Sequence, residues 1–180
     1  MSKVKYNPDD DYLYGFTNGE WKKSAVRLYL KGDNLFAGGS YSVAWDTNPS
    51  NWWYQDGNAG GSWGINSSGV LIGWSPSSLA TGKTGGCTIG TSQKIDLSKY
   101  NHAKVLLEDD TEKTLDISAL NGEMYAVLIA YKWGSSNDHS YAIGFVSSKK
   151  DFPANDNVLL LQRTSTRTYI GIKAIWLEWY

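Results

Sequence analysis

The chain has 180 residues, with 17 Lys and Arg against 18 Asp and Glu and a formal net charge of −1. This length suits one domain, and the balanced charge gives no general attraction for nucleic acid or an anionic membrane. The single cysteine excludes an intrachain disulfide framework, while 9 Trp, 12 Tyr and 19 Gly favour a β-rich protein that displays aromatic side chains.

Apolar alternation and turn residues predict short strands after residue 20. Segments 102–108 and 113–119 carry apolar residues at every second position, and the acidic stretch between them indicates an exposed hairpin loop. Segment 125–133 is apolar on both faces, which is typical of a central strand. The predicted strands are 24–31, 35–47 (with a bulge, or two short strands), 70–74, 88–97, 102–108, 113–119, 125–133, 141–148, 158–166 and 169–179.

Alternation also predicts which side chains of two strands face the core. In the sixth strand these are Leu115, Ile117 and Ala119. In the last strand the predicted face consists of Ile170, Ile172, Ala174 and Trp176.

The fold prediction is all-β, an antiparallel β-sandwich of jelly-roll type formed by residues 21–180 as a single domain. Residues 1–20 are predicted to be a polar N-terminal arm suited to attachment. No stretch approaches 18 apolar residues, so no membrane insertion is expected. The acidic run Asp9-Asp10-Asp11 follows the N-terminal lysines where a secretory signal would be apolar, so no signal peptide is expected.

Catalytic signals are weak, and the sequence predicts no enzyme. Cys87 is interpreted as a small buried thiol rather than a nucleophile. Glu108 and Asp116 are candidates to face each other across a hairpin as a glycosidase pair, and Glu178 is a third carboxylate. Solvated charge is the favoured interpretation of Glu108 and Asp116, while Glu178, in the last strand, is a candidate to face inward but has no evident partner.

No cofactor is expected, because two His and one Cys do not make a usual zinc cluster. A structural calcium ion is the alternative to having no metal. The oxygen-rich runs Asp9-Asp10-Asp11 and Asn155-Asp156-Asn157 are its candidate ligands. A solvated arm and a turn are the favoured interpretations of these runs.

The strongest pattern is aromatic, because five of the nine Trp lie between positions 45 and 74. Adjacent Trp52 and Trp53 predict one core and one displayed ring. We expect a carbohydrate site in which sugar rings stack on aromatic planes and polar groups bind hydroxyls. Its predicted stacking residues are Trp52, Trp53, Tyr54 and Trp63, and its predicted polar residues are Asn51, Gln55, Asp56, Asn58, Asn137 and Asp138.

Four other tryptophans are assigned to the core or to subunit contacts. Trp45 and Trp74 are predicted to lie in the core or in a subunit contact. At the end of the chain Trp176, Trp179 and Tyr180 are predicted to form an interface with another subunit.

Two stretches carry a resemblance to a known class of domain. The opening Leu28-Tyr29-Leu30-Lys31-Gly32-Asp33-Asn34, running into Gly38-Gly39 and Trp45, resembles β-sandwich domains of bacteriophage tail fibres and other virion proteins, as does Ile95-Asp96-Leu97-Ser98-Lys99-Tyr100. The closing strand, 169–178, is similar to their last strand and to that of galactose-binding-type jelly rolls. The resemblance implies a jelly-roll domain on a phage particle.

What the resemblance implies is a non-enzymatic virion protein, made in the host cytoplasm, that binds carbohydrate on the bacterial surface. The alternative is a purely structural decoration, head-fibre or baseplate component whose aromatics form subunit contacts. In either case the expected partners are a surface glycan or other virion proteins, and a homo-oligomer is expected. A glycan-active enzyme on the same fold is the third hypothesis.

Overall fold

The computed structural model describes residues 4–7, 12–27, 32–53, 61–75, 84–133 and 138–179. Sixteen strands occur in these residues, arranged in three antiparallel sheets. Three single-turn 3-10 helices, Pro49–Asn51, Leu97–Lys99 and Asn155–Asn157, join some of the strands. In the described residues no helix has the length and apolar character needed to cross a membrane.

The first sheet is a three-stranded meander at the N-terminus. It contains β1 (Val4–Asn7), β2 (Tyr12–Thr17) and β3 (Glu20–Arg27). A two-residue turn with positive φ at Asn18 and Gly19 joins β2 to β3, the geometry that matches the twist of a hairpin. The segment predicted to be a polar arm therefore contains strands.

The second sheet has six strands, in the order β15-β14-β13-β9-β6, with β10 paired to the start of β13. Its central strand is β13, the segment that the sequence predicts to be central. The strands are β6 (Trp45–Asp46), β9 (Thr84–Thr91), β10 (Ile95–Asp96), β13 (Glu123–Trp133), β14 (His139–Val146) and β15 (Val158–Thr164).

The third sheet has seven strands and is organised around the last strand of the chain. That strand, β16, pairs along one edge with β11 and along the other with β4 and β8 in succession. The strands are β4 (Gly32–Ala37), β5 (Ser40–Tyr41), β7 (Ser62–Ile65), β8 (Leu71–Trp74), β11 (Tyr100–Leu107), β12 (Glu112–Asp116) and β16 (Tyr169–Trp179).

The main core lies between the second and third sheets. Alternate residues of β11, such as Ala103 and Val105, pack in one cluster with alternate residues of β13 and β14, such as Leu128 and Ile143. Burial of these faces is the main stabilising contribution. Two packed antiparallel sheets confirm the predicted β-sandwich, and the jelly-roll connectivity stays a prediction.

A bulge in β16 changes which of its side chains point toward the core. The register shifts where β16 crosses the end of β11 and again where it meets β4. Ile170 and Ile172 face the core as predicted, but Ile175 and Leu177 replace Ala174 and Trp176 there. One extra residue in a strand moves every later side chain to the opposite face.

Smaller differences occur elsewhere along the chain. Residues 113–119 are predicted as one strand, but β12 ends at Asp116 and Ala119 is exposed in the following turn. Leu115 and Ile117 pack on the core as predicted. Between positions 47 and 70, where the sequence predicts no strand, the structure contains strand β7.

Candidate functional site

A second, smaller apolar cluster covers the outer face of the six-stranded sheet. It consists of Trp52 with Val127, Ile129 and Val146. The Trp52 ring is 0% exposed and lies directly over Gly90, where an added Cβ would come within 2.5 Å of the ring. Trp52 is therefore a core residue, and the prediction that it stacks on a ligand is wrong.

Trp53 has a different environment from its neighbour. Its side chain is half-buried against the same cluster, and its ring meets that of Phe152 edge-on, with centroids 4.6 Å apart. Phe152 is 40% exposed, and its ring also packs edge-on against that of Tyr131, with the ring centroids 6.1 Å apart. One of the two tryptophans is a core residue, as expected, but the other is half-buried rather than displayed.

The segments that carry Trp53 and Phe152 border a cavity of about 370 Å³ that is open to solvent, which we call the Trp53 cavity. Two aromatic rings share this cavity with hydroxyl, carboxylate and amide groups, the combination that orients a polar ligand with apolar faces. Its walls include Trp53, Phe152, Pro153, Ser147, Asp151 and Asn157.

Asp46 fixes the position of the Trp53 segment. Its carbonyl oxygen accepts the indole N–H of Trp52 at 2.8 Å. Its carboxylate accepts hydrogen bonds from the Asn51 amide at 3.0 and 3.2 Å, from the Asn48 backbone at 3.2 Å and from Lys149 at 2.8 Å. Although burial acts in the opposite direction, these hydrogen bonds lower the pKa of Asp46, because they favour the ionised carboxylate.

Two lysines join the opposite walls of the cavity. Lys149 pairs with Asp46 and places its ammonium 4.9 Å from the centroid of the Trp52 ring, a cation–π contact. The Lys150 ammonium donates to the carbonyl oxygens of Ser50 and Trp52. The segment 147–157 is thereby bound to the segment 45–53, so the cavity is formed before any ligand arrives.

The other predicted ligand-binding residues do not converge on this cavity. Asn51 serves to hold Asp46. Trp63 lies in the seven-stranded sheet, where its indole donates to the Cys87 carbonyl oxygen at 3.1 Å, and Asp138 forms an ion pair with Arg163 at 2.7 Å. Tyr54, Gln55, Asp56, Asn58 and Asn137 lie outside the described residues.

The residues predicted to form a subunit contact differ from one another in exposure. Trp176 is only 4% exposed within the chain, because cross-strand neighbours cover it, so it offers little surface to a partner. Trp179 is 47% exposed, and its indole donates to the Asp33 carboxylate at 3.2 Å. Tyr180 lies outside the described residues.

The three candidate carboxylates do not form a catalytic pair. Glu108 lies in the hairpin turn beside Arg167, and the residue opposite Asp116 is His102, which also faces Glu178. Asp116 and Glu178 are thus two strand spacings apart, about 10 Å. The prediction that Glu108 and Asp116 face each other is wrong, because the turn begins at Glu108.

The described residues give little support for nucleophilic catalysis or for metal binding. Cys87 is fully buried, and this burial raises the pKa of the thiol to about 11. In the part of the chain that the structure describes, no group of three or more His, Cys, Asp or Glu residues is placed to hold a metal ion. The run Asn155-Asp156-Asn157 forms a 3-10 helix.

Comparison with family models, with curated proteins and with solved structures finds no match to this chain.

Sequence reasoning missed the second wall of the cavity. Phe152, Asp151 and Ser147 lie in the connection between β14 and β15 and carry no motif. Their importance arises from packing, since Pro153 lies against Gly144, where a Cβ would come within 2.4 Å of the proline ring. The one available signal is an apolar Phe-Pro pair inside a polar loop.

Proposed function

We propose that this protein is a non-enzymatic carbohydrate-binding protein whose binding site is the Trp53 cavity. One observation supports it above the others: the Trp53 and Phe152 rings share a pre-formed cavity with Asp151 and Asn157. Sugars present C–H faces that pack on aromatic rings, and hydroxyls that pair with carboxylates and amides.

The size of the cavity sets the ligand class. About 370 Å³ lies near the lower end of the volumes usual for ligand sites, which suits one or two sugar rings. We therefore expect the cavity to bind the end of a glycan chain or a short branch. The resemblance to virion sandwiches makes a bacterial surface glycan the proposed source.

Pre-organisation supports a binding role for this cavity. The hydrogen bonds of Asp46 and the two lysines hold both walls in the free protein. Binding therefore does not have to pay the conformational entropy of ordering either segment. Loops that carry ligands on a rigid sandwich are a common arrangement.

A structural role in a virion is the second candidate. Trp179 and Leu160 are each 47% exposed, and large exposed apolar side chains are typical of subunit contacts. Since a homo-oligomer is expected for both roles, the distinguishing observation is binding of the purified chain to other virion proteins in the absence of glycan, which replacing Trp179 should weaken.

The test uses the full chain on a panel of immobilised bacterial lipopolysaccharides and capsular polysaccharides, with cellohexaose, chitohexaose and mannohexaose in solution. We expect at least one glycan to bind, and Trp53→Ala to weaken binding at least tenfold.

Trp179→Ala is the matched control, since it also removes an indole but lies outside the cavity. Absence of binding to every glycan at millimolar concentration contradicts the proposal, as does a Trp53→Ala variant that binds like the wild type.

A further inference from the structure

An exposed tryptophan and a half-buried tyrosine lie side by side on the outer face of the seven-stranded sheet. Trp74 and Tyr169 are direct cross-strand neighbours, with ring centroids 5.0 Å apart and planes tilted by 44°. Ile170 and Ile172 of the same strand face the core, so Tyr169 faces away from it. Trp74 is 44% exposed, which leaves much of its ring open to a ligand.

Charged groups border this pair. The Arg167 guanidinium lies over the Tyr169 ring, 4.3 Å from its centroid, and its Nη2 is 3.6 Å from a carboxylate oxygen of Glu108. Both charged side chains are more than a third exposed. We call Trp74, Tyr169, Arg167 and Glu108 the Trp74 platform.

A trough continues the platform across strand β7. It has a volume of about 280 Å³ and is lined in part by Trp74, Ile72, Ser62 and Asn66. Ser62 pairs with Trp74 in the register of the sheet, so its hydroxyl lies beside the indole. The aromatic pair therefore has ionic groups on one side and a hydroxyl and an amide on the other.

A buried polar network holds the platform from below. Ser75, the residue after Trp74, hydrogen-bonds through its hydroxyl to the His139 ring and to the Tyr141 hydroxyl. The Ser75 backbone N–H donates to Thr168, and the Tyr141 hydroxyl donates to the Arg167 carbonyl oxygen, both at 3.1 Å.

These bonds attach both platform segments to the sandwich core, because Ser75, His139 and Tyr141 are at most 5% exposed. Binding sites built on strands and supported by a buried second layer keep their geometry. The platform therefore has the rigidity that a ligand site needs.

The composition of the platform favours a glycan over a protein partner. Protein interfaces are enriched in Arg, Trp and Tyr but depleted in Glu, and here the half-exposed carboxylate of Glu108 borders the rings. The guanidinium offers hydrogen-bond donors and the carboxylate offers acceptors for sugar hydroxyls, next to the exposed Trp74 ring, on which a sugar C–H face can pack.

We propose that the Trp74 platform is a second carbohydrate site, on the face of the sandwich opposite to the Trp53 cavity. Its ligand class rests on the proposed function. The trough beside Trp74 has a volume of about 280 Å³ and is open to solvent, so the platform suits a stretch of a polysaccharide chain laid across the sheet. Because the two sites lie on opposite faces, one protein molecule bridges two polysaccharide chains. Binding both chains at once raises the apparent affinity for a surface that is densely covered with glycan.

The test is isothermal titration of the full chain with whichever of cellohexaose, chitohexaose and mannohexaose it binds most tightly. We expect two ligand molecules per chain in the wild type and one in each of Trp74→Ala and Trp53→Ala. The double variant should bind none. Trp179→Ala, an exposed tryptophan outside both sites, should keep two.

The two proposals fail in different ways. One ligand per wild-type chain, lost only in Trp53→Ala, overturns the second site and leaves the cavity intact. One ligand lost only in Trp74→Ala overturns the cavity and leaves the platform.

Two further measurements keep the test decisive. If Trp74→Ala does not fold, Arg167→Gln replaces it, with an expected tenfold loss of affinity at the platform. Self-association of the wild type that Trp74→Ala abolishes would identify the platform as a subunit contact and overturn its role as a sugar site.

Discussion

Replacing the adjacent tryptophans one at a time separates core packing from ligand binding. Trp52 is fully buried, donates its indole N–H to Asp46 and packs edge-on to Tyr125. Trp→Ala in a core costs about 3–5 kcal/mol. In a chain of this size, about 4 kcal/mol corresponds to a fall in Tm of about 8–16 °C. We expect that fall for Trp52→Ala.

Trp53→Ala should act on binding instead. Its ring is half-buried and makes one edge-on contact with Phe152, so we expect a loss of about 1–2 kcal/mol. Urea unfolding followed by circular dichroism measures both variants, and glycan titration of each at 15 °C measures binding while both are folded. Trp53→Ala should lose at least tenfold in affinity. Trp52→Ala should lose less, because the bonds from Lys150 to the carbonyl oxygens of Ser50 and residue 52 still join the two walls.

The reverse pattern would refute this reasoning. If Trp53→Ala unfolds far more readily than Trp52→Ala, the assignment of Trp52 to the core is wrong. Equal and small losses of stability in the two variants would mean that the apolar cluster over Gly90 contributes little to the free energy of unfolding. Trp52→Phe serves as the intermediate variant, because it keeps one apolar ring but removes the indole N–H and part of the buried ring volume, so its loss of stability should be smaller than that of Trp52→Ala.

Two predictions concern charged groups. Asp46→Ala leaves Lys149 without its carboxylate and should cost about 2 kcal/mol at pH 7 by urea unfolding. Since the pKa of Asp46 is lowered, its contribution is present above pH about 4 and disappears as the pH falls through the folded-state pKa, so at low pH the variant should approach the wild type. Burial, with help from Lys132, lowers the pKa of His139. Its protonation therefore favours the unfolded state, and the free energy of unfolding should fall below pH about 6.5. A His139→Gln variant with the same slope between pH 7.5 and 5.5 as the wild type would contradict this.

Strand positions follow from local alternation where one face is buried. The last strand is predicted at 169–179 and observed at Tyr169–Trp179, because its β-branched and aromatic residues strongly favour strands. The face of the sheet on which Trp176 lies could not be predicted from the strand alone. It depends on a bulge that arises where β16 pairs with β11. Alternation within one strand carries no information about its partner.

One missed element did carry a local signal. Asn18-Gly19, flanked by the alternating aromatic residues Tyr14, Phe16 and Trp21, is the usual turn of a tight hairpin. Polar composition and the nearby acidic run favoured an arm instead. The hairpin shows that turn chemistry outweighs average polarity over a short segment.

The candidate site was half predictable. Trp53 is identified by its adjacent tryptophan and polar surroundings, but its partner Phe152 is separated from it by nearly a hundred residues and approaches only through the pairing of β13 with β14. Trp74 was assigned to packing, although strand alternation from the buried Leu71 places it outward. Distant contacts of this kind depend on the assembled sandwich.

The most direct measurement is a ¹⁹F NMR titration of the full chain labelled with 5-fluorotryptophan, using the glycan that binds in the panel. The nine tryptophans give separate resonances, and single Trp→Phe variants assign them. We expect the Trp53 resonance to move in a saturable way with ligand concentration, while that of Trp179 stays fixed. A titration in which the glycan binds and the Trp53 resonance does not move would contradict the assignment of the Trp53 cavity as the carbohydrate site.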